Sequence, residues 1–319
     1  MKIDSEDVKE DISKARPNLK INTIKQYETN LKKLKKIFDT DNFDFLSSPD
    51  KVKDKIHELH YTTQRNHYNA IIVLLMALNK DDKYKKILEE YGKIRDELND
   101  KYLEEQSSGV ISEKQKENFT TIEELEGMIH KMEKELKDLK LKKKKELTKK
   151  EMALLQNYVL FSIYTRLPMR NDVAGMETIT KRAYNKLSEK EKKENNYLVL
   201  EKNNMFFVLN KYKTARKYEE LKIDIPPDLK KLLRYYLKVN GMGVLFKSST
   251  GKPLTRNALT QLMIKVTQKY LNKSISTTMI RKIYLSSKYG DMKEELKQDN
   301  KVMGHSMGVA LNNYVKKEE

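Results

Sequence analysis

The sequence predicts a two-domain protein that is mainly α with a small antiparallel β-sheet (α+β). Three observations predict it. Apolar residues recur at steps of three and four over most of the chain, three short β-rich runs lie between Tyr197 and Ile225, and a polar segment separates two regions.

From Ile21 to Phe38 the apolar positions Ile24, Tyr27, Leu31, Leu34 and Phe38 mark one buried helical face. Thr62 and Thr63 predict a capped helix that runs to Asn79 and carries Arg65, Asn66 and His67 near its start. Tyr84 to Leu103 continue as a charged helix, completing a small helical bundle. The segment Glu104 to Asn118 holds Ser107, Ser108 and Gly109 with few apolar residues, so the boundary is expected there. This gives a helical domain over 1–106, a linker over 107–118 and a second domain over 119–319.

In the second domain, Thr121 to Glu124 reads as a capping box, followed by Ile122, Leu125, Ile129, Met132, Leu136 and Leu139 at alternating steps of three and four. About two and a half heptads fall short of a sustained coiled coil, so a docked helix is expected. Lys142 to Lys145 are expected as a solvated helix end or loop. A second capping box, Thr148 to Glu151, opens a helix with Met152, Leu154, Leu155, Tyr158, Val159, Phe161 and Ile163 on most of its sides, the pattern of a domain interior. Tyr197 to Glu201, Met205 to Asn210 and Leu221 to Ile225 predict a three-stranded antiparallel meander that Pro226-Pro227 ends. Helices are expected over Asp228 to Val239, Thr255 to Leu271, Thr277 to Tyr289 and Lys293 to Val302, with no internal repeat.

Of 319 residues, 65 are Lys or Arg and 47 Asp or Glu, a net charge of +18 that points to a polyanionic partner. Hydrophobic residues at 38% are too many for wholesale disorder. The absence of Cys excludes disulfides, thiolate zinc sites and a Cys nucleophile. The longest apolar run, Ala70 to Leu78, is nine residues against the ~18 that span a bilayer, and no signal-peptide pattern opens the chain. No membrane association is expected and the location is expected to be intracellular, with nucleus, cytoplasm and viral factory left open.

Four features of the second half stand together: Leu167-Pro168-Met169-Arg170 after the interior helix, Lys213 between two strands, Arg281 in Thr278-Met279-Ile280-Arg281, and Gly304-His305-Ser306 with Tyr314 nine residues beyond the His. Arg170 and Arg281 are 111 residues apart, and His305 follows Arg281 by 24. Taken singly, Arg170 reads as a helix-end cation, Arg281 as a salt-bridge partner, His305 as a loop residue and Tyr314 as a packing aromatic. As an ordered set, from about Thr120 to the C-terminus, they resemble the fingerprint of the tyrosine recombinase (phage integrase) family. The resemblance implies a helical DNA core-binding domain, a tyrosine-recombinase-like catalytic domain and a duplex DNA substrate.

The chemistry accounts for the residue types. A phosphodiester under attack gains negative charge, which two permanently charged guanidinium forks can grip, the role implied for Arg170 and Arg281. Tyr314 is implied as the nucleophile that forms a bond to the DNA 3′ phosphate, and Lys213 as the acid that protonates the leaving 5′ oxygen. His305 would hydrogen-bond a phosphoryl oxygen or move a proton. The phosphotyrosine conserves the bond energy, so no cofactor and no metal are expected.

Two positions depart from the family. Thr278 stands where the family has the His of its His-x-x-Arg box, leaving a hydroxyl that donates a hydrogen bond but carries no proton near neutral pH. Asp172 lies two residues after Arg170, whereas the family's buttressing acid lies three after. Lys211 and Lys217 rival Lys213 and, with Arg65 and Asn66, are the expected DNA contacts. The leading expectation is a site-specific recombinase or integrase that forms a homo-oligomer on DNA. The alternatives are a type IB topoisomerase-like relaxing enzyme and a non-catalytic DNA-binding protein with the same fold. The Lys-over-Arg bias, with only ten Arg, and the abundant Asn and Tyr point to an AT-rich viral or mobile element.

Overall fold

The computed structural model describes residues 3, 5–79, 82–111, 113–303, 308 and 311. The chain divides into two compact units, Met1–Ile111 and Ser112–Glu319.

The first unit contains α1 (Val8–Ala15), α2 (Ile21–Phe38), α3 (Pro49–Ile56), α4 (Tyr61–Leu78) and α5 (Lys85–Ser108). The predicted face of α2 buries Ile24, Leu31 and Leu34. Leu31 and Leu34 join Tyr68, Ile71, Leu74 and Leu75 of α4 and Tyr91 of α5 in one core. The start of α4 differs slightly from expectation, because His60 and not a threonine caps it: the Thr62 amide donates to His60 Nδ1 at 3.3 Å. α5 outruns its expected end at Leu103 and stops where Gly109, at φ 72°, takes the left-handed conformation that suits glycine after a helix.

The second unit contains α6 (Glu113–Lys116), α7 (Ile122–Asp138), α8 (Lys149–Arg166), β1 (Glu177–Thr180), α9 (Lys181–Tyr184), α10 (Glu189–Glu194), β2 (Asn196–Leu200), β3 (Met205–Leu209), α11 (Ala215–Tyr218), β4 (Leu221–Asp224), α12 (Pro227–Asn240), β5 (Gly243–Val244), α13 (Arg256–Leu271) and α14 (Thr277–Met303). α7 packs its Leu125, Met128, Ile129, Met132 and Leu136 into the core that α8 occupies, and α8 is buried on nearly every side over its last three turns. The expected meander is present as β2, β3 and β4, antiparallel throughout.

The sheet is larger than predicted and mixed, in the order β4-β3-β2-β1-β5, because β1 pairs parallel to β2 and β5 pairs antiparallel to β1. A parallel pair needs a crossover of about a dozen residues or more, supplied here by α9, α10 and their loops. Alternate residues of β2 and β3 face two cores. Leu198, Met205, Phe207 and Leu209 join the main cluster, while Tyr197, Val199, Phe206 and Val208 pack with Tyr184. Burial on both faces is why β3 reads as an unbroken apolar run. The helices expected over Thr277 to Tyr289 and Lys293 to Val302 are one continuous α14, with Gly290 inside it. A helix tolerates an internal Gly at a cost of about 1 kcal/mol, and no Pro interrupts this stretch. Among the described residues no helix is long and apolar enough to cross a membrane.

The capping box that starts α8 is complete: Thr148 and Glu151 each satisfy the other's backbone amide, and Glu151 is ion-paired with Lys144. The Lys144 ammonium, followed by the Thr148 amide, holds the Glu151 carboxyl down to about 2. A carboxylate depressed in the folded state stabilises the fold above its unfolded value and loses that contribution as pH falls through the folded one. Glu151→Gln keeps the capping geometry without the charge. The variant should therefore melt below the wild type at neutral pH, with the gap closing as pH falls from about 4.5 toward about 2. Melting curves from neutral pH to about pH 3 check this, and a gap that stays constant counts against it.

Candidate functional site

The site is built on the loop that leaves α8. Pro168 cannot continue the helix, and α8 stops at its Leu167 cap. The next turn is tied back to α8 by the Tyr164 hydroxyl, which donates to the Arg170 carbonyl at 2.8 Å. The Arg170 backbone is thus anchored while its side chain is exposed. A 3-10 turn, Asn171–Val173, then buries Asp172 and Val173. Gly175, at φ 71°, makes the left-handed turn that leads into β1.

Asn171 joins this loop to the N-terminal ends of α13 and α14. Its Nδ2 donates to Thr260 Oγ1 at 2.7 Å and to the Arg256 carbonyl at 3.1 Å, and its Oδ1 accepts from the Thr277 hydroxyl. Thr277 is the first residue of α14, Thr278 beside it is exposed, and Arg281 lies one turn further on, half-buried. Arg281 is therefore carried on a helix fastened to the turn that presents Arg170.

Asp172, 5% exposed, is the electrostatic centre of the arrangement. Arg256 Nη2 donates to its Oδ1 at 3.0 Å. Burial pushes the carboxyl above its ordinary value, and the guanidiniums of Arg256, Arg170 and Arg281, in that order, act against the rise. Arg256, 84 positions away in sequence, thus pairs with a buried carboxylate on the loop that presents Arg170. The contact partner of Asp172 is Arg256. Among the described residues neither the Arg170 nor the Arg281 side chain donates a hydrogen bond or forms an ion pair; Arg170 is exposed and Arg281 half-buried.

The hairpin between β3 and β4 is held against the same loop by Asn196, the buried first residue of β2. Its Oδ1 accepts from the amides of Asn210 and Lys211 at 2.9 and 2.8 Å. Its Nδ2 donates to the carbonyls of Asp172 and Lys211 at 2.8 and 3.2 Å. All four hydrogen-bonding positions of the amide are used. Lys211 and Lys213 follow immediately, both exposed, and Lys217 is exposed with its ammonium 5.1 Å from the Tyr218 ring.

Of the expected site residues, Arg170 on the loop after α8 is tied through Asn171 to the first turns of α14, which carry Thr278 and Arg281, and Lys213 follows a hairpin base hydrogen-bonded to the same loop. His305 and Tyr314 lie outside the described residues. In the first unit, Arg65 is committed internally: its guanidinium lies 3.8 Å from the Tyr102 ring centroid and Nη1 donates to Asn99 Oδ1 at 3.3 Å. Asn66 is exposed and His67 buried, where burial lowers the imidazole's proton affinity. Sequence reasoning missed Asn171, Asn196 and Arg256. Only Arg256 left a trace there, because a cation at the first position of a helix opposes the helix dipole and needs a compensating anion.

The chain matches no family model and no curated protein. Among solved structures it is similar to the XerH site-specific recombinase bound to palindromic difH substrate in a post-cleavage complex. The TM-score is 0.47 at 16% identity, covering 94% of this chain and 77% of that one. For XerH in a pre-cleavage complex with difH the values are 0.48, 15%, 98% and 80%. For the XerA recombinase they are 0.34, 10%, 97% and 94%.

Proposed function

We propose that the chain is a site-specific DNA recombinase or integrase that cleaves and rejoins duplex DNA through a 3′-phosphotyrosyl intermediate on Tyr314. The observation that supports this reading best is that Asn171 ties the loop presenting Arg170 to the start of α14, the helix carrying Arg281, so that two arginines 111 residues apart in sequence are brought to one region. Such a pair suits the extra negative charge of a phosphodiester under attack, because each fork can donate two parallel hydrogen bonds to phosphoryl oxygens. Lys213, on the hairpin whose base is hydrogen-bonded to the Arg170 loop, supplies the proton for the 5′ oxygen, and His305 and Thr278 hydrogen-bond the phosphoryl group. The helical unit grips the DNA core while residues 119–319 carry the chemistry, and copies assemble on the DNA.

The test is a pool of nicked duplexes with a randomised core, in which cleavage next to the nick loses a short fragment and traps the covalent state. Denaturant-stable protein–DNA complexes should form, and sequencing the trapped strands should return a preferred core. Plasmid relaxation without sequence preference or recombined product would favour the relaxing enzyme. Tight binding with no covalent complex would leave only the DNA-binding reading.

The charge balance gives a second expected outcome. Each phosphate neutralised releases counterions, so log affinity should fall with log salt at about −0.9 per contact, and an extended interface with duplex DNA should show about −5 or steeper. Filter binding or anisotropy over a salt series measures the slope. A value near −1 would count against an extended DNA interface.

A further inference from the structure

Resting on that reading, we infer that Arg256 is a positioning residue that sets Lys213 against the scissile phosphate by clipping the hairpin base to the Arg170 loop. One nitrogen, Nη2, donates both to Asp172 Oδ1 and to the Lys211 carbonyl, each at 3.0 Å. The first acceptor lies two residues after Arg170 and the second two residues before Lys213. The Arg256 carbonyl in turn accepts from Asn171, which also holds Thr277 at the start of α14. Arg256 is thus bonded to the Arg170 loop through Asp172 and Asn171, and to the hairpin base through the Lys211 carbonyl.

Its other observable properties fit a clip and not a core support. The side chain is 53% exposed, so its removal empties no cavity, while the Asp172 side chain beneath it is only 7% exposed. The first position of a helix is electrostatically poor for a cation, and the adjacent carboxylate compensates. Asn196 holds the same hairpin from the buried side through the Asn210 and Lys211 amides and, through Nδ2, shares the Lys211 carbonyl with Arg256. With Arg256 removed, the outer attachment of the Lys211 carbonyl is lost and the segment bearing Lys213 gains freedom. General-acid transfer depends on placement within hydrogen-bond reach, and a shift of about 1 Å can cost about a hundredfold.

In the proposed cleavage, the Tyr314 oxygen bonds to phosphorus and the bond from phosphorus to the 5′ oxygen breaks. The Lys213 ammonium gives its proton to that oxygen and becomes a neutral amine. A sulfur in place of the bridging 5′ oxygen leaves as a thiolate and needs no proton. Leaving-group identity therefore separates a residue that positions the acid from one that grips the phosphate.

The experiment compares single-turnover cleavage of the preferred nicked duplex, with bridging 5′ oxygen or 5′ sulfur, by wild type, Lys213→Ala and Arg256→Met. Arg256→Met with Asp172→Asn serves as a second variant in which no charge is left unpaired, and circular dichroism melts establish that each is folded. The inference expects Arg256→Met to lose about tenfold to a hundredfold on the oxygen substrate and to come within a few-fold of wild type on sulfur, as Lys213→Ala does. Equal losses on both substrates, or no loss on oxygen, in whichever variant folds, would overturn it. If wild type forms no covalent complex with either substrate, the recombinase reading itself fails, which is a different result from an unrescued Arg256 variant.

Discussion

Tyr314→Phe should abolish covalent DNA capture while leaving DNA affinity within about twofold of wild type, the range of a substitution that removes no charge. Phenylalanine keeps the ring and deletes only the oxygen that would bond to phosphorus. The phenol is an unpromising nucleophile alone, with an ordinary pKa of about 10, and it needs cations nearby to favour the phenolate. In the proposed reaction Arg170, Arg281 and the hairpin lysines supply that field. Denaturing gels of wild type and variant with the nicked duplex read the outcome directly. A covalent complex that survives in the Phe variant would move the nucleophile elsewhere. The next residues to test would be Tyr284 and Tyr289 on α14, where the Lys288 ammonium lies 5.8 and 5.4 Å from the two rings.

Legibility in the sequence tracked the range of the interactions. Helices came through because their signals are local: the Thr148 capping box and the stripe on α7 announce themselves within one or two turns. β1 did not, since four residues acquire strand character only by pairing with β2 twenty positions away in register. The continuity of α14 was hidden by Gly290, a residue that marks turns in some contexts and is tolerated in helices in others. At the site, Arg170 and Arg281 were visible as chemistry-bearing residues at spacings that match a family. The groups that hold them were not. Asn171 and Asn196 are ordinary polar residues whose importance lies in partners from 14 to 106 positions away, contacts that no local pattern encodes. Asp172 was visible as a carboxylate near Arg170, but its contact partner, Arg256, is 84 positions distant.

The second large effect belongs to the arginines: Arg170→Ala and Arg281→Ala should each lower single-turnover cleavage by about a hundredfold to a thousandfold at saturating DNA, the scale of losing one preorganised charge-stabilising donor. Affinity should fall much less, because each variant removes about one phosphate contact and flattens the salt slope by about one unit. The fold should be spared in Arg170→Ala in particular, since that guanidinium is exposed and the Asp172 carboxylate keeps its ion pair with Arg256. Arg→Lys at either position preserves the charge but loses the planar fork that matches two phosphoryl oxygens, so its loss should fall between wild type and Ala. The two sites should also be strongly non-additive, as the proposal that both act on one phosphoryl group requires: the double variant should be little slower than the worse single one. Rates measured by rapid quench across a DNA concentration series separate the two possibilities. If the variants bind more weakly yet cleave at the wild-type rate once saturated, Arg170 and Arg281 anchor the backbone and do not stabilise the transition state.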